Sequence, residues 1–188
     1  VTRKELKKVK QIIFVAIVGC AVLVSLCGTL LYELRTAEKE SLRLRTEIEQ
    51  LKTREQEAEQ QRADIESRII TYLNAKNSIG SADIAAACVE AGADPFLLAA
   101  IATIESNANP WSPKGAAGEQ GAWQVRAKYW GHVPADVFGQ AAQAERVIRT
   151  LIGQHGSLRK ALIRYNGQGP AARRYAERVL KIYEEIKG

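Results

Sequence analysis

Only three cysteines occur in the 188 residues, and two of them, Cys20 and Cys27, lie inside an apolar run, so no disulfide framework can be built. Cys88 is left alone in the polar part, where a small hydrophobe in a helix core is its expected role. The two histidines, His132 and His155, stand apart from any cysteine or carboxylate cluster, which excludes the usual metal-ligand spacings. Zinc spacing, phosphate loop and dinucleotide fingerprint are all missing, so no metal and no cofactor is expected. Between Glu33 and Lys76 there is neither glycine nor proline, which rules out turns there and calls for one continuous helix.

What charge there is sits unevenly. The net +6 arises largely from residues 1–11, where Arg3, Lys4, Lys7, Lys8 and Lys10 face only Glu5. Such a cluster reads as a membrane flank, not as a nucleic-acid footprint. Ile12 to Tyr32 follows without a charge and is long enough to cross a bilayer. Basic residues before it and Glu33 after it place residues 1–11 in the cytoplasm and the bulk of the chain outside, by the positive-inside rule. A cleaved signal peptide and a lipobox ending at Cys20 compete with the uncleaved anchor. The apolar run is longer than a usual signal core, and it stays apolar past Cys20 to Leu31.

Residues 33–76 are rich in Glu, Arg, Lys, Gln and Leu. Spacings alternating between three and four pick out Leu34, Ala37, Ser41, Leu44, Ile48, Leu51, Glu55, Ala58, Arg62, Ile65, Ile69 and Tyr72. That is a heptad seam, weakened by Ser41, Glu55 and Arg62. It suits either a parallel homodimer through residues 34–72 or a solvated single helix acting as a spacer. At 1.5 Å per residue such a stalk is roughly 60 Å long. Asn77-Ser78-Ile79-Gly80 reads as a hinge, and residues 77–188 as a compact, mainly helical head with a single core.

Within the head, Ser81 has cap chemistry for a helix over 82–91 ended by Gly92, and Asp94-Pro95 opens a strongly apolar helix. Leu97, Ala100, Ile101 and Ile104 fall on its core face, and Glu105 arrives at its end. Burial there would raise the Glu105 pKa, as a general acid requires. A loop rich in Gly, Ser, Pro and Trp follows, then helices over 137–154 and 158–165 and a last helix entered through Pro170. Asp94 and Asp136 read as caps and are weak candidates for a second acid.

Four motifs then occur in one order: Glu105-Ser106, Gly115-Ala116, Gly121-Ala122-Trp123-Gln124 and Tyr165-Asn166-Gly167. In this the head, from about Ser81 to Gly188, resembles the SLT catalytic domain of the lytic transglycosylases, an α+β lysozyme-like fold that is mainly α. One departure is visible. The family reads Gly-Leu-Met-Gln soon after Gly-Ala, whereas this chain has Gly118-Glu119-Gln120 before Gly121-Ala122-Trp123-Gln124. The resemblance implies cleavage of the β-1,4 bond between N-acetylmuramic acid and N-acetylglucosamine in peptidoglycan strands, with a 1,6-anhydro product. Glu105 would be the sole general acid/base, with Ser106, Gly121, Trp123, Gln124, Tyr165 and Asn166 holding substrate. Each has a plainer role open to it: a helix-end bond for Ser106, close backbone approach at positive φ for Gly121, a turn-satisfying amide for Gln124, core packing for Tyr165 or Trp123, and a helix cap for Asn166. Trp111 and Trp130 are further candidates for stacking on sugars.

Glu119 is the possible second carboxylate. Facing Glu105, it could activate water and make a hydrolysing muramidase; pointing to solvent, it would leave the anhydro route. A catalytically idle wall-binding head is the alternative outside enzymes. A tethered enzyme of this kind suits local opening of the wall by an envelope-crossing secretion, conjugation or phage-entry machine.

Overall fold

The computed structural model describes residues 2–188. It is mainly α, and it divides into two compact units that meet between Glu57 and Ala58. Helix α1 (Arg3–Ala75) makes up the first unit and opens the second. It holds a segment long and apolar enough to cross a membrane, and its apolar side chains there are exposed.

The second unit is a helical head. Its further elements are α2 (Ser81–Ala91), α3 (Pro95–Ser106), β1 (Glu119–Gln120), β2 (Val125–Arg126), α4 (Ala127–Trp130), α5 (Val137–His155), α6 (Leu158–Asn166) and α7 (Gly169–Lys187). The strands form a small antiparallel hairpin with Glu119 opposite Arg126 and Gln120 opposite Val125.

Helix α3 is the core. Leu97 to Ala102 are all buried, so it is covered on every side there, by α2, α5 and α7. Its start is set by the Asp94 carboxylate, which accepts from the Leu97 N–H at 3.2 Å, with Pro95 in the first turn, where its missing N–H is no loss. Helices α5 and α6 begin in the same way, on Asp136 (Gly139 N–H, 2.7 Å) and Ser157 (Lys160 N–H, 3.4 Å). Ser81 is no cap. It is the first residue of α2, its hydroxyl donates to the Ser78 carbonyl, and Gly80 holds the cap position.

The head begins earlier than residue 77. Ile69 and Leu73 of α1 are fully buried, and Ile65 and Tyr72 pack against the same core. Arg68 lies 5.0 Å from the centre of the Phe96 ring and donates to the Ile186 carbonyl at 3.0 Å. The last turns of the expected stalk therefore spend their apolar stripe inside the head. Asn77–Gly80 is likewise no free hinge. The Ser78 hydroxyl donates to the Ala108 carbonyl at 3.0 Å, and a Cβ on Gly80 would meet Pro110 at 2.2 Å, so the segment is wedged against the loop after α3.

Candidate active site

Glu105 is the penultimate residue of α3, and its position is fixed by how that helix stops. Asn107 and Ala108 both adopt left-handed backbone, at φ 56° and 53°. Their N–H groups turn back to the carbonyls of Thr103 (3.1 Å) and Ala102 (2.9 Å), satisfying the open end of the helix. Asparagine tolerates that conformation; alanine adopts it here because it is fully buried and held. The Ser106 hydroxyl accepts from the Asn109 N–H (3.1 Å) and donates to the Ala122 carbonyl (2.7 Å). Ser106 thus ties the end of α3 to the Gly121–Gln124 turn. It is not among the residues that line the cleft, so a direct substrate contact is not where the structure puts it.

That cleft has a volume of about 380 Å³. Its lining includes Glu105, Glu119, Gln124 and Arg126, together with Tyr129, Trp130, Gln154, Arg164, Tyr165, Asn166 and Gly167. The structure brings six of the expected residues together there: Glu105, Glu119, Gln124, Trp130, Tyr165 and Asn166.

Burial raises the Glu105 pKa from 4.5 to about 7. The nearby Tyr175 hydroxyl and the Arg126 cation pull it down, while the Glu119 charge pushes it up. Two tyrosines wall this carboxyl. Their rings stack, 6.4 Å apart and 8° from parallel, and both hydroxyls are pushed well above the ordinary phenol value by burial and then by the Glu105 charge. The Tyr165 hydroxyl is committed to the Trp123 carbonyl at 2.6 Å, so it holds the turn instead of the acid. The buried Tyr175 hydroxyl has no hydrogen-bond partner. It is near enough to favour an ionised Glu105 but makes no direct bond of ordinary length to it.

Glu119 stands in the opposite electrostatic situation. Its carboxylate accepts from the Ala117 N–H (2.9 Å) and from Arg126, at 3.0 Å through Nε and 2.9 Å through Nη2. Its pKa is lowered, by the backbone hydrogen bonds around it and by Arg126. Glu119 thus faces the cleft, ionised and already bonded. The hairpin explains the geometry: Glu119 and Arg126 are paired across it, and Gly115 leaves room for the carboxylate, since a Cβ there would meet Glu119 Oε2 at 2.6 Å.

One expectation is corrected, and for Gly121 the plainer role is the one found. The Trp123 indole is fully buried and donates to the Leu98 carbonyl at 2.9 Å, so it anchors the turn in the core and cannot stack on a sugar. Gly121 serves packing: at φ +73° it lies against Gln140, whose Oε1 a Cβ would meet at 2.3 Å, and it is not in the cleft lining. Gln124 does line the cleft, but its Nε2 donates to the Gly121 carbonyl (2.9 Å) and reaches Ser112 Oγ (3.3 Å), which leaves it holding the loop. Asn166 is the last residue of α6, and the cap falls to Gly167. Trp111 is exposed and Trp130 is in the cleft.

Sequence reasoning missed Tyr175 and Arg126. Tyr175 sits on the buried stripe of α7 and reads as core; the signal was that a buried phenol needs a partner. Arg126 becomes visible only once Glu119 and Arg126 are recognised as the two arms of a hairpin. Among the described residues no group of His, Cys, Asp or Glu could hold a metal. Chemically, the arrangement presents one carboxyl that keeps its proton near neutrality, beside one that is held ionised. Such a pair can protonate a leaving oxygen and favour positive charge developing beside it. No family model matches the chain, and no curated protein matches it.

Proposed function

We propose that the head is a peptidoglycan lytic transglycosylase of the SLT type, with a lysozyme-like fold, tethered to the membrane by α1. The observation that carries this reading is Glu105 at the cleft wall, half-buried beside two tyrosines, with a pKa of about 7. A carboxyl in that state is about half protonated at pH 7 and more so below it, and it is ready to donate.

The cycle needs only that group. Glu105 gives its proton to the glycosidic oxygen as the bond from the muramic C1 to that oxygen breaks, and the N-acetylglucosamine side leaves as an alcohol. The muramic N-acetyl oxygen supports the cationic C1. The C6 hydroxyl then attacks C1, its proton returns to the Glu105 carboxylate, and the 1,6-anhydro ring closes with the acid regenerated. Glu119 is a poor base for water in this scheme, because its oxygens are already accepting from Arg126 and Ala117. Its negative charge keeps the Glu105 proton in place and favours the cationic centre. The anchor suits local opening of the wall by an envelope-crossing machine, with the head on the periplasmic side.

A second reading rests on Glu119 lining the same cleft: hydrolysis, with Glu119 directing a water. Mass spectrometry of the products from purified walls separates them. Wild type is expected to give anhydro ends, Glu119→Gln to keep giving them, and Glu105→Gln to fall at least about 100-fold. Reducing ends that disappear with Glu119→Gln would establish the hydrolase. Wall binding without product from wild type would leave only an idle wall-binding head.

A further inference from the structure

The heptad seam does not start at Leu34. Carried backwards in the same three-four phase it passes through Leu30, Cys27, Leu23, Cys20, Ala16 and Ile13, without a break across the end of the apolar run. Both cysteines of this run therefore lie on the stripe that Leu34, Ala37, Leu44, Ile48 and Leu51 continue. The large side chains on it are 51–65% exposed, so nothing in the chain itself covers them. Beyond Ala58 the same stripe turns to other use, since Ile65 and Ile69 pack in the head's own core.

We infer that a second copy of this chain covers residues 13–51, as a parallel helix pair running through the membrane span and into the stalk. Parallel order follows from two copies sharing one membrane topology. In a parallel pair, the residue just before one seam position faces a partner residue five further on. Here that rule sets Glu40 against Arg45 and Glu47 against Lys52, two successive complementary pairs, and Arg54 against Glu59 continues the pattern just past the paired stretch. Glu33 opposite Glu38 is the like-charged exception. In the stalk, Leu42 is the large apolar residue that falls off the stripe. Inside the bilayer, where apolar burial gives no drive, Ala16, Cys20 and Cys27 are small enough for close helix approach. An isologous parallel pair also sets each seam residue against its own copy, so Cys20 meets Cys20 and Cys27 meets Cys27.

The inference is independent of the head's chemistry, and so is its test. The full chain in membranes is treated with copper-phenanthroline, followed by non-reducing electrophoresis. Wild type and each single Cys→Ser variant at 20 or 27 should run as a covalent dimer. The double variant should not, because Cys88 is buried. Ser25→Cys in the double-variant background puts the thiol on the opposite helix face and should stay monomeric. In detergent, Glu47→Lys should weaken association about tenfold, and adding Lys52→Glu should restore it. A monomeric wild type, equal cross-linking through Ser25→Cys, failure of the charge swap to rescue, or a mature chain lacking residues 1–32 would each overturn the pairing.

Discussion

The sharpest consequence of the Glu105 environment is thermodynamic. A carboxyl whose pKa rises from 4.5 unfolded to about 7 folded binds its proton more tightly in the native state. Between those two values the folded protein carries more protons than the unfolded chain, so stability falls as pH rises. Below about 4.5 the group is neutral in both states and contributes no penalty. Above about 7 the full penalty is present, and at about 1.4 kcal/mol per pKa unit it is about 3 kcal/mol. Glu105→Gln removes the charge and keeps the shape. It should therefore stabilise the head by up to about 3 kcal/mol at pH 8.5, and much less at pH 4. The assay is thermal or urea unfolding of wild type and variant at both pH values. For a unit of this size the alkaline difference corresponds to a Tm rise of about 10 °C. Comparing variants at each pH cancels the other titrating groups. A Glu105→Gln protein that is equally destabilised at pH 4 and pH 8.5 would refute a half-buried carboxyl whose ionisation the fold opposes.

Three further outcomes follow from the same contacts. Tyr175→Phe removes a hydroxyl that favours ionised Glu105, so the alkaline limb of the pH–activity profile should move upward, while unfolding at pH 4, where Glu105 is neutral, shows little loss. Trp123→Phe breaks the bond to the Leu98 carbonyl and leaves that acceptor buried; a loss of about 1–3 kcal/mol in urea unfolding is expected, with KM nearly unchanged because the indole never reaches the cleft. Gly121→Ala combines positive φ with a collision against Gln140 and should lower stability by at least about 1 kcal/mol, read as a fall in Tm.

Much of this was legible in the chain because local chemistry dictates it. The Asp94-Pro95 and Ser157 starts, the buried run of α3 and the arrival of Glu105 at its end all follow from caps and periodicity, and the structure keeps them. What was not legible depends on which groups meet across the fold. Gln124 and Trp123 stand side by side, yet one edges the cleft and the other is fully buried, in a turn where Gln124 takes a left-handed φ of 45°. Nor could periodicity show that Ile69 and Leu73 close the head's core. A heptad stripe has the same spacing whether a partner helix or its own domain covers it.

The two carboxylates make a single electrostatic device. Glu119 is held ionised by donors from its own hairpin, so its charge is fixed at no expense to Glu105. That fixed charge then discourages ionisation of Glu105, in the same sense as burial does. Arg126 acts on both: it lowers Glu119 by direct contact and lowers Glu105 from further away. Burial sets most of the Glu105 shift, and the difference between Glu119 and Arg126, paired across a hairpin with six residues between them, trims it. A hairpin that tight adjusts the proton affinity of Glu105 without a hydrogen bond to it, which is why the Gly118–Gln120 stretch, where the chain departs from the SLT pattern, bears on the proposed chemistry.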